Sequence, residues 1–99
     1  MKATILYVKN LHIVRAAKIT VQKGENVSFT KADTKIEGNT KIYTNVFEFA
    51  CNWAEMVKIE SFSEITCGYN GIGDFRDINL LKFGYSEDLT ACNFRLINF

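Results

Sequence analysis

The sequence predicts an α+β fold, an antiparallel β-sheet of about five to seven strands built from hairpins, with one amphipathic helix over about 46–58 packed on one face. Three observations carry this. Short alternating segments flank Gly-Asn and Lys-Gly turns before residue 45. Apolar residues then recur at helical spacing behind a capping signal, and strand-like segments resume afterwards.

Ile5, Leu6, Tyr7 and Val8 form a β-branched and aromatic run, closed by Asn10, that suits a strand buried on both faces. From Leu11 to Ala17 the apolar residues fit neither period, so this stretch is a connection or a continuing strand. Ile19 and Val21, then Val27 and Phe29, alternate with polar residues around Lys23-Gly24-Glu25-Asn26. A three-residue loop there sets Val21 opposite Val27 and Ile19 opposite Phe29. A second hairpin joins Thr34-Lys35-Ile36-Glu37 to Lys41-Ile42-Tyr43-Thr44. A three-residue loop Gly38-Asn39-Thr40 sets Ile36 opposite Ile42 and is preferred to the two-residue turn that sets Ile36 opposite Lys41.

For the helix, Asn45 supplies an N-cap and Glu48 the capping-box carboxylate, while Val46, Phe49, Ala50, Trp53, Met56 and Val57 form the apolar stripe. Ile59 to Cys67 then reads as a strand, and Gly68 to Asp74 as a loop. Ile78 to Tyr85 and Leu89 to Phe99 form a last strand pair, with a helix over 87–96 as the competing assignment. No proline interrupts any element.

The 99 residues, 47% hydrophobic and 23% charged, suffice for one core, so a single globular domain over 1–99 is expected. The amino-terminal apolar run is too short for a signal-peptide core or a membrane span, which points to the cytoplasm and to no membrane contact. Cys51, Cys67 and Cys92 cannot all pair within one chain and none belongs to a C-x-x-C, so reduced thiols are expected. The sequon at Asn26 is then without consequence. Charge is uneven: residues 1–44 carry eight Lys or Arg against three Asp or Glu, and residues 45–99 carry four against eight. Halves of opposite sign allow a basic and an acidic end, and self-association into a homo-oligomer.

Catalytic chemistry finds little support. The Gly68 to Asp74 loop lacks both the Lys-Ser/Thr ending of a phosphate loop and dinucleotide-site spacing. His12 and the cysteines are scattered singly, so no metal and no cofactor is expected, and a thiol at Cys51 among core residues has a raised pKa and little access. Asp74 and Asp77 flank Arg76, and Glu87 and Asp88 sit at a turn, all as solvated charges. The expectation is therefore a protein that is not an enzyme.

The leading functional expectation is a protein-interaction module, a small inhibitor or adaptor that blocks a host protein. Low arginine, no proline and abundant Asn, Lys, Ile and Phe resemble the AT-rich coding of phages and mobile elements. Tyr69, Asn70, Phe75 and Arg76 are the partner-binding candidates, because aromatic residues and Arg anchor interfaces and loops present them. The alternative is nucleic-acid binding by the basic hairpins, with Lys18, Lys31, Lys35 and Lys41 on phosphates and Tyr43 stacking on a base.

Overall fold

Two strands of 21 residues each, β1 (Lys2–Gln22) and β4 (Thr40–Glu60), run antiparallel along their whole lengths and form the frame of the molecule. The computed structural model describes residues 2–69 and 93–97. The other strands are β2 (Ser28–Thr30), β3 (Asp33–Glu37), β5 (Glu64–Tyr69) and β6 (Asn93–Ile97). All six belong to one antiparallel sheet, curled into a half-barrel, and the described residues contain no helix.

A straight strand of this length would reach about 70 Å, yet the longest extent is 31 Å. The frame coils because its ladder is interrupted. Partners run in constant offset from Lys2↔Glu60 to Gln22↔Thr40, but Tyr7/Glu55, Asn10/Asn52, Arg15/Phe47 and Ala17/Asn45 are left out of it. At each interruption one residue adopts left-handed backbone: Tyr7 at φ 51°, Asn10 at 51°, Arg15 at 50° and Asn45 at 56°. Such bulges bend a strand and increase its twist.

The interruptions also set which residues face inward. Along β1 the buried positions are Ala3, Ile5, Val8, Leu11, Ile13, Ala16, Ile19 and Val21, in steps of two and three rather than two throughout. Each from Ala3 to Ile19 lies opposite a buried residue of β4: Ile59, Val57, Ala54, Cys51, Phe49, Val46 and Tyr43 in turn. Both strands lose one residue from the ladder at the same place, so register survives and the apolar faces stay matched. Phe62 and Ile65 complete this core, with Val27 and Ala32 packed against it.

Coiling brings the frame back onto itself. Residues Lys18 to Gln22 pair with Thr40–Thr44 on one edge and with Met56–Glu60 on the other. The second edge of β4 is thereby covered in sequence by β3, β2, the Glu25↔Trp53 bridge and the end of β1. Glu25 N–H donates to the Trp53 carbonyl at 2.7 Å and Asn52 N–H to that of Glu25 at 2.9 Å. The second edge of β1 carries β6 at Lys2–Leu6 and β5 at Val8–Val14. Ser63 secures the approach to β5, donating from N–H and from Oγ to the Val14 carbonyl at 3.0 Å.

This architecture corrects the α+β expectation. Residues 46–58 lie within β4, and no helix packs on the sheet. The helix-like spacing came from the bulged strand itself: Val46, Phe49, Cys51, Ala54, Val57 and Ile59 are the buried set, and steps of three imitate a helical stripe. Asn45 is not a cap but the left-handed residue of a bulge, a conformation asparagine tolerates well. The same steps explain why Leu11 to Ala17 fitted neither period.

The first expected hairpin does not form. Val21 pairs with Lys41 and Val57, Phe29 pairs with Phe49, and Lys23 N–H bonds the Asn39 carbonyl at 3.0 Å. The second forms in the other register, Ile36↔Lys41 and Glu37↔Thr40, because Gly38 at φ 61° lets Gly38-Asn39 close a two-residue turn. Ile59 belongs to β4 while Gly68 and Tyr69 belong to β5, so neither the Ile59–Cys67 strand nor the start of the loop stands as expected. Residues 70–92, including the Ile78–Tyr85 strand, lie outside the described residues. In the competing region only Asn93–Ile97 is described, and it is strand.

Candidate interaction edge

β3 pairs with β4 alone among the described strands, and all five of its residues are exposed. Across a two-residue turn the closing pair Glu37↔Thr40 shares hydrogen bonds, and bonding alternates from there. Asp33, Lys35 and Glu37 therefore spend their backbone groups on β4, while those of Thr34 and Ile36 turn outward along a free edge.

The side chains of that edge divide by face. Tyr43 points into the core, so its partner Thr34 and, two residues on, Ile36 lie on the core-facing side. Ile36 is 65% exposed there. Phe29, paired with the inward Phe49, is 40% exposed at the same rim, and its ring lies 4.7 Å from that of Tyr43, which in turn lies 5.5 Å from Phe49. An aromatic file thus runs from the core to the edge. Asp33, Lys35 and Glu37 alternate in sign on the outer side, with Lys35 Nζ 3.1 Å from Glu37 Oε1. Both groups are more than half exposed, so this pair is worth little in stability.

Two further constellations occupy the outer face. His12 Nε2 stands 3.6 Å from Glu48 Oε2 beside a shallow depression of about 120 Å³ that Ser28 and Thr30 also line. The Arg15 guanidinium lies 5.3 Å from the centroid of the exposed Phe47 ring, covering part of that apolar face. Where the coil meets itself, Lys2, Lys18 and Lys58 line a larger cleft of about 260 Å³.

Of the residues singled out from sequence, Asn70, Phe75 and Arg76 lie outside the described residues, as do Asp74, Asp77, Glu87, Asp88 and Cys92. Tyr69 ends β5 opposite Val8. Tyr43 is only 2% exposed, its ring packed between Phe29 and Phe49, so its face is not offered to a base. Lys18 and Lys35 lie on the outer face, Lys41 sits opposite the buried Val21 on the core-facing side, and Lys31 occupies a bend at φ 48°. These four do not form one basic patch.

Cys51 is buried opposite Leu11, and burial pushes its thiol up to about 11. Among the described residues no group of three or more His, Cys, Asp or Glu is placed to hold a metal ion, and no helix is long and apolar enough to cross a membrane. Sequence reasoning passed over Ile36 as an edge residue, although an isolated Ile between Lys35 and Glu37 in so short a strand is a visible signal. Compared with protein-family models, with curated proteins and with solved structures, the chain matches none.

Proposed function

We propose that the protein is a non-enzymatic interaction module, a small inhibitor or adaptor, that takes an extended segment of a protein partner as an added strand along β3. Strand addition draws affinity from backbone hydrogen bonds and specificity from alternate side chains. The supporting observation is Ile36, 65% exposed on a free edge whose backbone groups at Thr34 and Ile36 have no ladder partner among the described residues. The partner segment alternates accordingly. Its apolar side chains meet Ile36 and Phe29, and its charged ones complement Asp33, Lys35 and Glu37 on the other face.

The edge is guarded as well as open, since five residues with alternating charge suit a short, specific partner better than indiscriminate sheet growth. Tyr69, Asn70, Phe75 and Arg76 remain in the proposal as further anchors on the strength of their residue types.

The test is capture from source cells by the tagged intact chain, with and without nuclease, read by mass spectrometry. Thr34→Pro removes an outward N–H, and Ile36→Lys removes the apolar contact. A near-stoichiometric protein that survives nuclease and falls at least about tenfold with either variant is the expected result. Capture that neither variant reduces removes β3 from the reading, and loss of every partner on nuclease treatment moves the function to nucleic acid.

A further inference from the structure

Coiling the frame onto itself creates a polar site that neither long strand could make alone. Where the end of β1 pairs with the end of β4, and that in turn with the start of β1, three segments stand side by side. Thr4, Lys58 and Thr20 form one cross-strand row, and Lys2, Glu60 and Lys18 the next. Their neighbours Ala3, Ile59 and Ile19 face the core, so these six side chains share the outer face and line or border the cleft of about 260 Å³.

The charges there do not balance. Among the described residues Glu60 is the one carboxylate lining the cleft, and its Oε1 lies 3.3 Å from Lys2 Nζ. Lys18 and Lys58 form no ion pair among the described residues. These two ammonium groups carry the local positive charge, with Lys58 diagonal to Lys18 and to Lys2 across neighbouring strands. Like charges so placed repel. Lys18 and Lys58 are exposed, so salt screens this repulsion and an anion gains most there at low ionic strength.

We propose that this cleft binds a phosphate monoester dianion. Its donors are the Lys58 and Lys18 ammonium groups and the Thr4 and Thr20 hydroxyls, a set that suits a compact oxyanion. A double negative charge offsets the local excess. The volume lies below that of a drug-sized site and fits a phosphorylated group or little more. A nucleic-acid backbone is disfavoured because neither Lys35, engaged by Glu37 at 3.1 Å, nor Lys41, on the opposite side of the sheet, extends these cations into a track.

The proposal is independent of the β3 edge, and its test uses the intact chain at low ionic strength near pH 7.5, titrated with inorganic phosphate and followed through backbone amide NMR shifts. Phenyl phosphate, dimethyl phosphate and a single-stranded oligonucleotide are run in parallel. Saturable shifts confined to residues 2–4, 18–20 and 58–60 are expected, with phenyl phosphate binding like inorganic phosphate and dimethyl phosphate about tenfold more weakly. Lys58→Gln weakens phosphate binding about tenfold, while Lys58→Arg stays within about threefold, both at unchanged melting temperature. Thr20→Val gives an intermediate loss. Shifts that rise linearly and spread over all lysines, or affinity unchanged in Lys58→Gln, overturn the proposal. So does an oligonucleotide that binds the same residues more tightly than phosphate.

Discussion

Asn45 lies across the β1–β4 ladder from Ala17, and neither residue belongs to a register pair. The left-handed φ of 56° at Asn45 supplies the bend that the interruption needs, and it falls between the inward-facing Tyr43 and Val46. The backbone at this point decides whether both reach the core.

Asn45→Val should therefore destabilise the fold by about 1–2 kcal/mol, because a β-branched residue resists left-handed backbone. Asn45→Gly should stay within about 0.5 kcal/mol of the parent. Urea unfolding midpoints of the two variants check this. Equal effects of Val and Gly would show that residue 45 does not hold this conformation in solution.

The aromatic file from Phe49 through Tyr43 to Phe29 grades from buried to open. Phe49→Ala should cost about 3–5 kcal/mol, the loss typical of a large side chain at 1% exposure. Phe29→Ala, with its ring 40% exposed, should cost well under half as much. Thermal melts that rank the two in the opposite order would place the core elsewhere.

Cys51 links stability to alkaline pH. The unfolded chain releases its thiol proton near the ordinary 9.0, whereas burial holds it in the folded protein to about 11. Below pH 9 both states keep the proton and stability is full. Between these values the unfolded state binds fewer protons, so stability falls as pH rises, by up to about 2 kcal/mol. Tyr43, raised from 10.0 by burial and then by the neighbouring Cys51, acts in the same direction. Chemical denaturation at about pH 8 and pH 10.5 should show this decline, and Cys51→Ala should reduce it. Identical slopes for parent and variant would refute the assignment. The same burial predicts slow alkylation of Cys51 until the protein unfolds.

Much of the strand content was legible in the sequence, because Ile5 to Val8, Ile19 to Val21 and Ile42 to Tyr43 are β-branched or aromatic and flanked by polar residues. The helix was misread for a physical reason. A bulge inserts one residue between inward positions, and four bulges among seven inward positions yield the three-residue steps that a helix also shows, as from Val46 to Phe49 and from Ala54 to Val57. Nothing local separates the two. The decision is made by β1, whose own steps match those of β4 position for position, and that correspondence appears only when the strands are laid antiparallel. Partner choice was equally non-local: Val21 and Val27 suit a hairpin, yet Val21 pairs with Lys41 and with the buried Val57, near the two ends of β4. Of the candidate sites, Lys18 could be named in advance. Lys58, Thr4 and Thr20 could not, since their proximity is a product of the coil.

The double pairing of Lys18 to Gln22 has a consequence for how the chain finds its native alignment. A slip of one residue between the long strands would move Ile19 off Tyr43 and, in the same step, off Ile59 on the other edge. Correct alignment is thus tested twice by the same five residues, and an offset ribbon cannot close its coil with apolar partners on both sides. Such proofreading demands contacts between distant parts of the chain, Lys18 with Glu60 among them, and folding should be correspondingly slow, in the millisecond-to-second range of topologies with high contact order.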